Sequence, residues 1–283
     1  MNYEIRKIKL NNDQLLQQLV NLQNVVYKGR HVFTVDGFKK WYVDNPMGEV
    51  ISFNAFFGDE MVAHYACIPY KMMIKGVEAL GLLDMATVTH PDHRGKGLFK
   101  KLAQATYEYA KDHGFQFVLG VANGNSYPGY MKYFPFKDYG KLEVKVGIGN
   151  NIYEHCNNRS VFVFWTPDVL KWRIRIRKKG DYNKSKKILW GKMKIPFFKL
   201  VMGEFDDCLL PKDLPQSKKR IWFNPFNLYI GLGANTKKGL YINVPKWIKH
   251  SPFHLLYLDL TDGILPSFER EDIFFQLIDF DVA

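Results

Sequence analysis

The chain has 283 residues, 47% of them hydrophobic and 16% aromatic, which is enough to bury a full core and to build two lobes of ordinary size. Its first residues, Met1-Asn2-Tyr3-Glu4-Ile5-Arg6-Lys7, carry charge where a signal peptide needs an apolar core, and no apolar run approaches the roughly 18 residues of a membrane span. Cys67, Cys156 and Cys208 are odd in number and far apart, which excludes a disulfide framework and a zinc site, so the expectation is a soluble, cytoplasmic protein without a metal or membrane insertion. The net charge of +12 favours anionic ligands.

In chain order, Tyr3 to Leu10 alternates as an edge strand does, and Asn11 or Asn12 caps a helix carrying Leu15, Leu16, Leu19, Val20 and Leu22. Val35 to Asp44 reads as a second helix, closed by Asn45-Pro46 and Gly48. Residues 50–57, 61–68 and 71–89 read as strands, the last broken near Gly76, with Gly58-Asp59-Glu60 as a hairpin turn. Leu98, Leu102, Ala105, Tyr109 and Ala110 recur at helical spacing, and Gly114 is the stop. Phe115 to Val121 reads as a buried strand parallel to the one before that helix, because a helical crossover joins them. A short helix ends near Tyr133, and Leu142 to Val146 is the strand expected to complete a first domain.

The stretch His90-Pro91-Asp92-His93-Arg94-Gly95-Lys96-Gly97-Leu98-Phe99 links an apolar strand to an amphipathic helix. Two glycines allow close backbone approach, successive amides point outward, and the positive end of the helix dipole adds to them. The ligand expected there is a pyrophosphate.

Arg94-x-x-Gly97 after Thr89-His90-Pro91 resembles the acetyl-CoA signature of the GNAT N-acetyltransferase superfamily, Arg/Gln-x-x-Gly-x-Gly/Ala. Asn123-Gly124-Asn125-Ser126 and Gly129-Tyr130-Met131-Lys132-Tyr133-Phe134-Pro135-Phe136 resemble the next motif, an Asn-x-x-Ser helix start ending in a Gly-Phe pair. The resemblance covers residues 3–148, and Phe99 and Pro135 depart from it. It implies an α/β (α+β) GNAT fold with a mixed central sheet and acetyl-CoA as co-substrate. Residues Arg94, Gly95, Lys96, Gly97, Leu98 and Phe99 would hold the pyrophosphate, the backbone of Thr87, Val88 and Thr89 the pantetheine arm, Asn123 would hydrogen-bond pantetheine, and Ser126 would cap the next helix. The general acid would be Tyr130 or Tyr133. Asp84, the sole carboxylate within residues 79–91, is the candidate base, and burial among Leu82, Leu83 and Met85 would raise its pKa.

From Val161 the pattern changes. Thr166-Pro167-Asp168 starts a short helix through Trp172, a basic segment follows from Lys171 to Lys179 and from Lys184 to Lys187, and separated strands fall at 198–205, 226–232, 239–244, 255–260 and 274–280. Gly231-Leu232-Gly233 reads as a turn. Trp172-Arg173 after Thr166-Pro167, with Asp279-Phe280-Asp281, resembles the C-terminal, mostly β, degenerate GNAT-like lobe of two-lobed acetyltransferases encoded with bacterial surface-polysaccharide genes. The expected division is therefore residues 1–150, catalytic, and 151–283, shaping the acceptor cleft.

The expected activity is direct transfer of an acetyl group to a small-molecule primary amine, on an amino sugar or a nucleotide-linked sugar, with Arg173, Arg175 and Arg177 on its phosphates. Rivals are an aminoglycoside, polyamine or protein amine as acceptor, and a catalytically silent CoA-binding or interaction module. The basic run is otherwise a solvated face. No nucleic-acid recognition pattern accompanies the charge, so nucleic acid is not the expected partner. The acceptor, the acyl length and the oligomeric state stay open at this stage.

Overall fold

A computed structural model describes residues 2–28, 31–148, 160–176, 183–185, 188–193, 195–206, 208–212, 225–233, 240–244 and 253–280. Strand β1 (Glu4–Lys7) is followed by helices α1 (Asp13–Tyr27) and α2 (Val35–Tyr42), strands β2 (Ile51–Phe57), β3 (Glu60–Ile74) and β4 (Val77–Thr89), helix α3 (Leu98–Asp112), strand β5 (Phe117–Ala122), helix α4 (Tyr127–Tyr133) and strands β6 (Lys137–Lys141) and β7 (Glu143–Ile148). Then come β8 (Val161–Val163), α5 (Pro167–Ile176), β9 (Asn183–Ser185), β10 (Ile188–Lys192), β11 (Phe198–Glu204), β12 (Phe226–Gly231), β13 (Leu240–Asn243), β14 (His254–Asp259) and β15 (Ile273–Phe274).

Local chemistry accounts for several boundaries. Asn12 caps α1, its side chain accepting from the Gln14 amide at 2.8 Å, and Leu16, Leu19, Val20 and Leu22 form the buried stripe. Thr34 caps α2 by accepting from the Gly37 amide at 3.0 Å. Lys75 and Gly76 both take positive φ, at 47° and 86°, and make the tight turn between β3 and β4. Residues 71–74 therefore belong to β3 rather than to the following strand.

The first sheet runs β1-β2-β3-β4-β5-β14-β6, with β8 beside β3 and β15 beside β8; the second runs β13-β7-β12-β11-β10-β9. One face of the first sheet packs on α1, α2 and parts of the C-terminal half. The other packs on α3 and α4.

The sheets do not divide at residue 150. β14, from the C-terminal end of the chain, lies between β5 and β6 and is antiparallel to both. The segment expected to finish the first sheet instead runs in the second as β7, between β12 and β13. Hydropathy explains the choice. The place next to β5 is covered on both faces and needs a continuous apolar strand, which β14 supplies: Leu255 and Tyr257 enter one core, Leu256 and Leu258 the other. β7 alternates Glu143 and Lys145 with Val144 and Val146, a pattern for a strand with one wet face.

The C-terminal stretch expected as a strand over 274–280 is strand only at Ile273–Phe274 and then closes into a short 3-10 turn, Leu277–Asp279. The Asp279 carboxylate accepts from the Gln276 amide at 2.6 Å, and this local bond curls the backbone away from a ladder.

Candidate active site

β4 and β5 are parallel, but their ladder holds only Leu82 opposite Val118 and Leu83 opposite Leu119. Beyond it β4 stays with β3 as far as Thr89, and β5 stays with β14 as far as Ala122. The strands therefore part from Asp84 onward, and the edge of Thr87, Val88 and Thr89 that faces β5 meets no strand among the described residues. Gly81 keeps the closed end tight: a Cβ there would stand 2.5 Å from the Phe117 ring.

At the open end of β4 a 3-10 turn, Pro91–His93, leads into Gly95 and Gly97, with φ of 71° and 73°. Neither glycine is crowded, so the left-handed backbone and not lack of space requires them. Arg94, Gly95, Lys96 and Gly97 are exposed. Arg94 Nε donates to the Thr89 carbonyl at 3.3 Å and ties the loop to the strand. α3 starts at Leu98, so its first-turn amides, Leu98 and Phe99 among them, lack intrahelical acceptors and face the loop with the positive end of the helix dipole. This cradle suits a diphosphate. The Phe99 ring does not fill it. It turns into the α3/α4 core, 5.2 Å from the Tyr130 ring and 6.1 Å from those of Tyr65 and Phe134.

After β5, Asn123 forms the turn into α4: its Oδ1 accepts from the Asn125 amide at 2.9 Å and the Ser126 amide at 3.2 Å. The side-chain cap expected of Ser126 is not made: its hydroxyl points back and accepts from the Asn123 amide at 3.1 Å, while Asn123 Oδ1 bonds the two amides just before the helix. Tyr130 and Tyr133 part company on α4. Tyr130 is 3% exposed and its hydroxyl donates to Asp84 Oδ2, whereas Tyr133 is 40% exposed, beside Lys100 and Lys132.

A β-bulge brings this pair together. Ala66 pairs with Ala86 but Cys67 pairs with Asp84, leaving Met85 as the extra residue on β4. Two-residue alternation would put Asp84 and Thr87 on opposite faces. With the bulge, Asp84 stands opposite Cys67 and Thr87 opposite Tyr65, so both face α4, while Met85 and Ala86 both pack on the α1/α2 side. Tyr65 and Tyr107 lie behind them with their hydroxyls 2.6 Å apart.

Burial dominates the electrostatics. It pushes the Asp84 carboxyl up to about 6, against hydrogen bonds from Tyr130, Tyr65 and the Met85 amide that lower it. Burial, and then the Asp84 charge, holds the Tyr130 phenol well above its ordinary range. The pair is a carboxylate ionised at neutral pH next to a tyrosine that keeps its proton.

The two arginines expected on an acceptor are not equivalent. Arg173 is 2% exposed; its guanidinium lies 4.8 Å from the centre of the Trp41 ring, and its Nε donates to the Ile278 carbonyl at 3.0 Å. It ties α5 to α2 and to the C-terminal turn and offers no surface to a ligand, which corrects that expectation. Arg175, two residues on, is exposed. Arg177, Lys178, Lys179, Lys186 and Lys187, together with Cys156 and Asp281, lie outside the described residues. Among the described residues no cluster of three or more His, Cys, Asp or Glu could hold a metal, and no helix is long and apolar enough to cross a membrane.

Sequence reasoning missed the bulge, the Tyr65–Tyr107 pair and the place of β14 in the first sheet, though it expected a strand at 255–260. Nothing local marks the first, since Met85 continues an apolar run. Two aromatic residues 42 positions apart meet only through packing.

Residues 5–134 match the family model described as an acetyltransferase (GNAT) domain. Among solved structures, the chain is similar to a protein of unknown function from Enterococcus faecalis, named as a probable N-acyltransferase, with a TM-score of 0.60 at 9% identity over 90% of this chain and 72% of that one. It is similar to the same degree, TM-score 0.60 at 10% identity over 90% and 71% of the two chains, to a GCN5-related N-acetyltransferase from Kribbella flavida. Both likenesses extend the shared fold well beyond the matched domain. No curated protein matches the sequence. Residues 5–134 thus form a domain of the GNAT acetyltransferase type.

Proposed function

We propose that the protein transfers an acetyl group from acetyl-CoA to a primary amine in one direct step, with Asp84 as base and Tyr130 as acid. The observation that carries this reading is the hydrogen-bonded Asp84–Tyr130 pair at the point where β4 and β5 part, in line with the glycine loop at the open end of β4. Acetyl-CoA supplies the thioester. The loop amides from Gly95 to Phe99 and the free edge of Thr87, Val88 and Thr89 are the groups suited to its diphosphate and its pantetheine arm.

The proton path follows from the pair itself. An alkyl amine arrives mostly protonated at neutral pH, with a pKa of about 10; one proton leaves to solvent before the nitrogen attacks, and the Asp84 carboxylate takes the second, which the nitrogen sheds as the amide forms. While Asp84 is ionised, the Tyr130 hydrogen points at it. Once Asp84 is neutral, its own O–H can donate to the Tyr130 oxygen, which frees the phenolic hydrogen for the departing sulfur. The proton on Asp84 then replaces the one that Tyr130 has given, and both groups return to their starting state.

The acceptor reading is supported by topology. After β6 the chain touches the first sheet again at β8, on its β3 side, and then at β14, which places His254 beside Ala122, at the end of the sheet where the gap opens. The second sheet, whose strands all fall between β6 and β14 in the chain, is thereby suited to wall the approach to the thioester. An amino sugar, free or nucleotide-linked, remains the preferred acceptor, with the exposed Arg175 as the proposed partner of a phosphate.

Calorimetric titration of acetyl-CoA into the wild type and Gly97→Glu, followed by thiol release against amino sugars, aminoglycosides, polyamines and peptide amines, tests the reading. Binding lost in Gly97→Glu, with turnover on one amine class that needs both Asp84 and Tyr130, supports it. Binding without turnover on any amine would make the domain a silent CoA module.

A further inference from the structure

Asp84 uses one oxygen for Tyr130; the other, Oδ1, is buried and accepts no hydrogen bond of full geometry among the described residues. A bare carboxylate oxygen in an apolar core is costly unless a donor stands ready. The groups that bear on it come from three elements: Tyr65 and Cys67 on β3, Tyr107 on α3 and Tyr130 on α4. Among the described residues no lysine, arginine or histidine contributes to holding its charge. Tyr65 is fully buried opposite Thr87, one pair along from the bulge, and its hydroxyl is 2.6 Å from that of Tyr107, where either oxygen can be the donor.

The hydroxyl–hydroxyl bond resolves in one direction only if Asp84 is charged. With Tyr107 donating to Tyr65, the Tyr65 hydrogen is released toward the Asp84 carboxylate, which makes a chain of donors from α3 through β3 to β4. We propose that Tyr65 is a positioning residue for Asp84: held by Tyr107, it stabilises the ionised carboxylate so that the base is ready at neutral pH, while Tyr130 remains the group that faces the sulfur. This rests on the reading of Asp84 as base. It assigns a role to two tyrosines outside the proposed acid–base pair. Cys67, on the same face, is the most weakly polar member, and its thiol is itself pushed up by burial and by the Asp84 charge, so it stays neutral.

The test needs no acceptor. In protein labelled with carbon-13 at aspartate Cγ, with the Asp84 resonance assigned by its loss in Asp84→Asn, the titration of Asp84 is followed in the wild type, Tyr65→Phe, Tyr107→Phe and the double variant. The wild-type midpoint is expected near 6, and Tyr65→Phe is expected to raise it by roughly one pH unit, a tenfold change in the ionisation constant. Tyr107→Phe should raise it less, and the double variant should match Tyr65→Phe, because Tyr107 acts only through Tyr65. The double variant also removes both hydroxyls together without changing shape, which guards against misfolding from a single orphaned hydroxyl. An Asp84 midpoint unmoved in both Tyr65→Phe and the double variant overturns the inference. Thiol release by Asp84→Asn at the wild-type rate with acetyl-CoA and the amine panel overturns the underlying reading instead, whatever the resonances do.

Discussion

Asp84 and Asp279 are both carboxylates that burial lifts out of the ordinary range, to about 6 and about 7, yet their surroundings differ. Asp279 sits at the junction of β3, α5 and the C-terminal turn. Trp165 Nε1 donates to its Oδ1 at 2.9 Å, the Gln276 amide donates to its Oδ2 at 2.6 Å, its carbonyl accepts from the Tyr70 hydroxyl at 2.6 Å, and the charge of Arg173 lies near. Every direction around it is closed. Asp84 has Tyr130 on one oxygen and less than a full bond on the other, and it stands at the first residue where the two strands part. A raised pKa therefore does not separate a reactive carboxylate from a structural one in this molecule. Access to the gap does.

Four measurements break or sharpen that contrast. Asp84→Asn should lower turnover by about 10²–10⁴-fold while leaving the fold intact. Because the folded pKa of Asp84 lies above its unfolded value, the charged form opposes folding at neutral pH, and the amide should stabilise the protein by up to about 3 kcal/mol at pH 7.5, read as a higher Tm. A lower Tm with unchanged turnover would make Asp84 a second Asp279. The converse substitution, Asp279→Ala, leaves the Trp165 and Gln276 donors without an acceptor and should cost about 2–4 kcal/mol in urea unfolding, with turnover per folded molecule little changed.

Stability against pH gives the third. A raised folded pKa contributes stability that is complete below the unfolded value and is lost as pH climbs through the folded one. Asp84 and Asp279 should therefore make unfolding easier from about pH 4 up to their folded values, about 6 and about 7, by up to about 1.4 kcal/mol per unit each. Asp279→Asn should remove the part of that slope that runs on to about 7, and Asp84→Asn the part that ends near 6. A flat wild-type profile over this window would contradict both assignments.

The smallest effect comes from the helix that carries Tyr130. A Cβ at Gly129 would lie 3.1 Å from the Phe99 ring, so Gly129→Ala should strain the α3/α4 contact by about 1 kcal/mol, or roughly fivefold in turnover where Tyr130 moves to relieve it. Adding Phe99→Leu should restore activity. Equal losses in the single and double variants would show that Phe99 does not set the position of Tyr130.

Much of the scaffold is legible in the sequence wherever a few neighbouring residues decide the outcome. The Asn12 cap and the leucine stripe define α1. Gly95 and Gly97 are glycines because the backbone there is left-handed, and Asn123 turns the chain by hydrogen-bonding two amides within three residues. Asp84 and Tyr130 are each recognisable as candidates for proton transfer from their residue types and their places relative to the glycine loop.

Their meeting is not legible, because it depends on register. Whether Asp84 faces α4 alone or together with Thr87 depends on where β4 slips against β3, and an apolar Met85 can occupy either face. The same limit applies to the chain's division into lobes. A strand 254 residues from the start completes the first sheet because it is apolar on both faces, a property that matters only when both faces are covered. Arg173 looks like a ligand-binding cation in a basic run and becomes a core residue because Trp41 and Ile278, far away in sequence, close over it. Residue type and short-range spacing determined the loop, the caps and the candidates. Packing between distant segments decided which candidates share a site, since burial and pairing are properties of the folded neighbourhood and not of any local stretch.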